Sequence, residues 1–214
     1  MKRGVFITFE GPEGCGKSTH SRLLVRFLKA QGYRVVSVRE PGSTRIGERI
    51  RRLLLDKENN LLSYECEMLL YMAARCQLVQ EVIRPALKEG KVVLCDRFLD
   101  STIAYQGYGL GLDVGLIKRL GKAVLGGFLP DLTILLDRPP KKGLQSRPRS
   151  KDRIESRPLV YHQRVRQGYL ALQKAEPERI KLIKIDKNKS RTQDKIRRLV
   201  MDFLQRKKRV RYAL

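Results

Sequence analysis

Gly11-Pro-Glu-Gly-Cys-Gly16-Lys17-Ser18 fits the phosphate-binding pattern G-x-x-x-x-G-K-[ST], and its flanks supply the context that the pattern requires. Before it, Val5-Phe-Ile-Thr-Phe9 reads as a buried strand; after it, Leu23, Leu24, Phe27 and Leu28 recur at helical spacing. Glycines let such a loop turn backbone N–H groups inward around phosphate oxygens, and the helix N-terminus behind it adds partial positive charge. Gly11, Pro12, Glu13, Gly14, Cys15, Gly16, Lys17, Ser18 and Thr19 are therefore the expected cradle for ATP. Lys17 would bring a point charge to the β- and γ-phosphates, and Ser18 an oxygen ligand to Mg²⁺.

Outward from this loop, apolar runs and helical patterns alternate. Residues 35–38, 91–95, 132–136 and 180–185 read as four further strands. Helical patterns cover 46–55, 64–87, 101–106, 116–125 and 194–205. This alternation predicts one α/β domain over residues 1–214, a P-loop NTPase with a five-stranded parallel sheet covered by helices on both faces. Ligands bind at the carboxyl ends of strands in such sheets, which draws attention to Glu10, Arg39-Glu40, Asp96-Arg97, Asp137-Arg138 and Asp186. Asp96, directly after a buried strand, is the expected carboxylate for Mg²⁺, whereas Asp137 and Asp186 read as turn caps.

Composition sets the boundaries. The four cysteines show no ligand or C-x-x-C spacing, which suits a reduced cytoplasmic protein. Strand and loop follow the first residues directly, so no signal peptide is expected, and no apolar run approaches membrane-spanning length. The formal net charge is +24, and residues 138–214 hold 25 of the 46 basic residues but 7 of the 22 acidic ones. Part of that excess belongs to Ser146-Arg-Pro-Arg-Ser-Lys-Asp-Arg153, a basic loop between helical stretches that reads as a lid over polyphosphate. The tail Arg206-Lys-Lys-Arg-Val-Arg211 reads as a solvated helix end rather than a nucleic-acid contact, since cations suit a helix C-terminus and no aromatics are interleaved. His20 and His162 stand alone and read as packing residues.

Asp96-Arg-Phe-Leu-Asp-Ser101-Thr-Ile-Ala-Tyr105-Gln106-Gly107 closely resembles the D-R-[YF]-x-x-S-x-x-A-Y-Q-G signature of the thymidylate kinases. Phe9-Glu10-Gly11, Arg39-Glu40-Pro41-Gly42, Ala73-Ala74-Arg75 and Asp152-Arg153-Ile154-Glu155 fall where that family has related stretches, in a consistent order over about residues 5–175. The resemblance implies transfer of the γ-phosphoryl of ATP to dTMP with Mg²⁺, by a homodimer. It implies that Glu10 meets the sugar 3′-hydroxyl, that Tyr71 stands where the family often has a stacking Phe, and that Tyr105 crowds the sugar 2′ position. The absence of arginine from the phosphate loop, with Arg147, Arg149 and Arg153 in the loop at about 146–155, resembles the bacterial type, in which the lid supplies a catalytic arginine in cis.

Residue chemistry supports this acceptor. Arg39 and Arg97 offer planar charged forks for a phosphate, Gln106 carries donor and acceptor groups for a pyrimidine edge, and Arg75 lies one helical turn from Tyr71. No general base is needed, because the acceptor is already a phosphate dianion. After the fifth strand the family commonly places small residues beside adenine, whereas this chain has Asp186-Lys-Asn-Lys189. Two other readings share the phosphate loop: a different nucleoside or nucleoside monophosphate kinase, and a nucleic-acid-stimulated ATPase, for which the chain is short.

Overall fold

The computed structural model describes residues 4–146 and 152–212, with side chains through 207. Its centre is β1 (Val5–Glu10), buried along its whole length. Around it lie β2 (Val35–Arg39), β3 (Val92–Asp96), β4 (Leu132–Asp137) and β5 (Ile180–Lys184), all parallel, in the order β2-β3-β1-β4-β5. The register sets Arg39 opposite Asp96 and Asp96 opposite Phe9, so the charged strand ends share one edge of the sheet.

Strand alternation divides the core between two faces. Val5, Ile7 and Phe9 face α1 (Lys17–Ala30) and α9 (Lys189–Tyr212), whose Leu24, Leu28, Ile196, Val200 and Leu204 are buried with them. Phe6 joins the opposite core with α3 (Tyr64–Leu78), α6 (Val114–Leu125) and α8 (Leu159–Ala175). Each fully buried Leu or Ile contributes about 1.5–3 kcal/mol, so both helical layers are firmly held.

Local chemistry sets the helix ends. Thr44 Oγ1 accepts the Gly47 N–H at 2.9 Å to start α2 (Arg45–Leu55), and Ser63 Oγ accepts from Cys66 N at 3.2 Å to start α3. The expected helix over 64–87 is continuous in path, but a π-helical stretch (Val79–Ile83) joins α3 to α4 (Arg84–Lys88). Pro85 explains the widened turn, because its ring would collide with the carbonyl four residues back in a regular α-helix. The expected helix at 101–106 is α5 (Leu99–Thr102) followed by a second π-helical stretch (Ile103–Gly109), where Leu110 N–H donates five residues back to the Tyr105 carbonyl at 3.1 Å. A short α7 (Pro140–Gln145) follows β4.

Candidate active site

Between β1 and α1 the loop passes its neighbours too closely for side chains. A Cβ on Gly11, at φ 140°, would fall 2.2 Å from the Leu136 carbonyl oxygen, and one on Gly14 would fall 2.0 Å from that of Gly143. Lys17 Nζ donates to the carbonyls of Gly11 and Pro12, both at 2.9 Å, and lies 3.6 Å from the buried Cys15 sulfur. Ser18 Oγ donates to Asp96 Oδ2 at 2.6 Å. A hydroxyl and one carboxylate facing a phosphate loop suit Mg²⁺, a hard ion that keeps several waters and takes its remaining oxygens from substrate phosphates.

A cavity of about 440 Å³ opens over this loop, within the range for small-molecule sites. Glu13, Gly14, Gly16, Lys17, Ser18 and Thr19 line it from the loop side, and Arg39, Asp96 and Arg97 from the strand ends. Tyr71, Ser101, Tyr105 and Gln106 close the opposite wall. Most of the expected nucleotide-binding residues therefore converge, although they come from separate parts of the chain.

Arg97 is the hub. Its guanidinium donates to Glu13 Oε1, to the Tyr105 hydroxyl at 2.9 Å, to Tyr169 Oη at 3.1 Å, to Ser101 Oγ at 3.2 Å and to the Gly11 carbonyl at 3.2 Å. Its backbone lies at φ 75°, a left-handed conformation costly for a non-glycine residue, of order 1 kcal/mol or more. Such a conformation persists when its surroundings fix it, and here the Arg97 N–H is held by the Phe9 carbonyl at 2.9 Å.

Two expected contacts are placed elsewhere. Glu10 is wholly buried and absent from the described cavity wall, where it accepts from Phe98 N at 2.6 Å, Ser101 Oγ at 2.6 Å and Tyr169 Oη at 2.8 Å. Strand alternation gives the reason, since Glu10 follows Phe6 and Thr8 onto the face beneath α5 and α8. Of the acids on the cavity wall, the one that reaches Tyr105 is Glu13, whose Oε1 accepts from Tyr105 Oη at 2.8 Å. Arg75 is also buried below the described wall; it pairs with Glu40 at 2.7 Å and donates to the Phe98 carbonyl at 3.1 Å and to Thr102 at 2.9 Å. A buried carboxylate such as Glu40 is tolerated only with a partner of this kind.

The lid is described only at its ends. Arg147 and Arg149 lie outside the described residues. Arg153 is placed away from the cavity wall, with its guanidinium on the Leu54 carbonyl at 2.9 Å and on Glu67 at 2.7 Å. Fully buried Glu67 also accepts from Arg157 at 2.7 Å and from Gln106 Nε2 at 2.8 Å. Charge neutralisation thus draws Arg153 inward, onto Glu67.

Arg51 lines the cavity and was not singled out by the sequence. Burial and the neighbouring Arg39 press its pKa below the ordinary arginine value, an accumulation of cations that a polyanion would relieve. Its only sequence signal is its position on a helix that follows the Arg39-Glu40-Pro41-Gly42 turn. Asp137 pairs with Arg166 through two contacts at 2.7 and 2.8 Å, and Asp186 accepts the Asn188 N–H at 2.8 Å as a turn cap. His20 Nδ1 lies 2.7 Å from Gln193 Oε1, and His162 is 1% exposed, as packing residues would be.

A parallel sheet with a phosphate loop after its central strand, and an arginine-rich cavity at the strand ends, defines a nucleotide-binding P-loop protein built for phosphoryl transfer. The family model for thymidylate kinase matches residues 9–196. Thymidylate kinase of Exiguobacterium is 46% identical over 204 residues, covering 94% of this chain and 96% of that protein. Thymidylate kinase of Desulfovibrio desulfuricans is 50% identical over 188 residues, covering 84% and 87%. The crystal structure of thymidylate kinase from Ehrlichia chaffeensis superposes with a TM-score of 0.76 at 34% identity, covering 93% of this chain and 99% of that one. The chain belongs to the thymidylate kinase family.

Proposed function

We propose that this protein transfers the γ-phosphoryl group of ATP to dTMP, giving dTDP. The observation that carries the reading is a single cavity in which Lys17 and Ser18 of the phosphate loop stand across from Arg97, Tyr105 and Gln106. A donor triphosphate on the loop and an acceptor phosphate beside Arg97 would bring the reacting oxygen and phosphorus together in one cavity. Lys17 takes charge on the donor phosphates, while Arg39, Arg51 and Arg97 neutralise the acceptor phosphate. Ser18 and Asp96 would hold Mg²⁺, which when bound offsets charge on the β- and γ-oxygens. Glu13, beside Tyr105, takes the place first expected of Glu10 at the deoxyribose, and Tyr105 restricts the 2′ position. Tyr71 and Gln106 meet the base, with Arg75 supporting that wall from beneath through Thr102. Arg149, with Arg147, is the lid arginine for the transition state. Arg153 positions the lid.

The protein would work in the cytoplasm as a homodimer. No described helix is long and apolar enough to cross a membrane. A second copy suits the packed pair α2 and α3, which leave Ile46, Leu53, Tyr64 and Leu69 exposed.

A coupled assay with ATP and Mg²⁺, comparing dTMP, dUMP, dCMP and dGMP, tests the acceptor. The expected kcat/KM for dTMP exceeds that for dCMP and dGMP by at least a hundredfold, because a mismatched base fails to match the Gln106 amide, whose Nε2 is held by Glu67 and cannot turn to suit it. Equal use of a purine or cytosine acceptor would return the chain to the wider class of nucleoside monophosphate kinases.

A further inference from the structure

The basic tail alone reads as a solvated helix end, but with the fold bringing α9 beside the acid-free α1 we propose that the outer face of the two helices docks the phosphate backbone of duplex DNA. The two helices lie side by side, joined by the His20–Gln193 contact at 2.7 Å and by Arg197 stacked 4.9 Å from the Phe27 ring centroid. Leu24, Leu28, Ile196, Val200 and Leu204 are turned into the core, so the outer surface of the described residues is mostly left to polar groups. Helix α1 contains no acidic residue, and α9 contains ten basic residues against Asp194 and Asp202. Arg22, Arg26, Lys195, Arg198 and Arg206 are all exposed. Among the described residues, none of these five takes part in an ion pair, and Asp194 approaches only Arg197, at 3.6 Å.

The chemistry of this face selects its partner. Among the described side chains, no large apolar residue of α1 or α9 is exposed, so the described face has nothing to insert into a bilayer. Phe27 and Phe203 are half-buried under Arg197 and Lys207, so neither of these two rings offers an open stacking platform for single-stranded bases. What remains is a hydrated polyanion with closely spaced charge. Duplex DNA carries one charge per roughly 1.7 Å of axis. The 24 residues of α9 span about 36 Å, close to one duplex turn of about 34 Å. The contact would be sequence-independent and would leave the nucleotide cavity free, since Lys195, Arg198 and Arg206 are not on its wall.

The test is fluorescence anisotropy of a labelled 20-base-pair duplex between about 50 and 200 mM salt. Expected is a log–log salt dependence with a slope of several units, about 0.9 per phosphate contacted. The triple variant Lys195→Glu/Arg198→Glu/Arg206→Glu should bind at least tenfold more weakly at the low-salt end and lower the slope, while kcat/KM with ATP and dTMP stays within twofold of wild type. A control with the same charge change, Lys57→Glu/Lys88→Glu/Lys118→Glu, should keep most of the affinity. Equal loss in both variants would assign the binding to net charge alone and overturn the proposal. So would equal or tighter binding to phosphatidylserine vesicles or to a single-stranded 20-mer, or the absence of duplex binding at the lowest salt. Retained kinase activity in the triple variant guards against unfolding as the cause of lost binding.

Discussion

Lys17 spends its ammonium on two loop carbonyls at 2.9 Å, a geometry that holds the loop curved and keeps the charge at the cavity wall. Lys17→Met should leave the fold intact and lower kcat about a thousandfold or more, equivalent to about 4 kcal/mol of lost transition-state stabilisation. Circular dichroism alongside steady-state kinetics checks this; a folded variant within tenfold of wild type would remove Lys17 from the reaction. Glu10 makes a different prediction. Burial, with the Asp100 charge, pushes its carboxyl up to about 7, and burial raises Glu40 to about 7 as well. In the unfolded chain both titrate near 4.5, so between these values the native state binds more protons than the unfolded state. Their contribution to stability is therefore fullest below pH 4.5 and is lost as pH rises towards 7. Glu10→Gln keeps one acceptor oxygen but does not titrate. Its Tm should fall less than that of wild type from pH 5 to 7.5, and parallel Tm curves would show that Glu10 does not titrate in that range.

The segment 152–157 and the π-helical stretch Ile103–Gly109 meet at Glu67, which receives Gln106 from the latter and Arg153 and Arg157 from the former. That shared carboxylate links the cavity wall at Gln106 to the foot of the proposed lid, so Arg149 and Arg153 should separate into two behaviours. Arg149→Ala should lower kcat by a hundredfold or more with little change in KM for dTMP, as expected for a group acting on the transition state. Arg153→Ala removes one partner of a buried pair whose side chains are 10% and 0% exposed, and should cost stability, of order 3 kcal/mol. Thermal melts and kcat–KM pairs for both variants decide the matter. An Arg153→Ala protein with wild-type Tm and a kcat reduced as strongly as that of Arg149→Ala would restore Arg153 to the transition state. At this scale the helical periodicity of 64–87 and 101–106 was legible, whereas the π-helical stretches were not. They arise from Pro85 in one case and from packing around Tyr105 and Gly109 in the other, neither of which alters apolar spacing.

At the scale of the whole molecule, α2 and α3 expose Ile46, Leu53, Tyr64 and Leu69 on a protein that otherwise presents a strongly basic surface. If a second copy covers them, Leu53→Glu/Leu69→Glu should shift the species from dimer to monomer in light scattering after size exclusion, with the secondary structure retained. An unchanged dimer would place the interface elsewhere. The sequence by itself determined the five strands, most of the helices, the phosphate loop and the family, because these depend on local periodicity or on motifs whose chemistry is contained in a few adjacent residues. Helix α8 and the Ser18–Asp96 bond came only with the structure. Only the tertiary structure decided which charges face the cavity. Strand alternation carries Glu10 under the sheet while the loop turns Glu13 into the cavity. Buried Glu40 and Glu67 draw Arg75 and Arg153 inward, and Arg51 reaches the wall from a helix with no motif of its own. A side chain's direction follows from the partners that burial obliges it to find, and those partners lie far away in the chain.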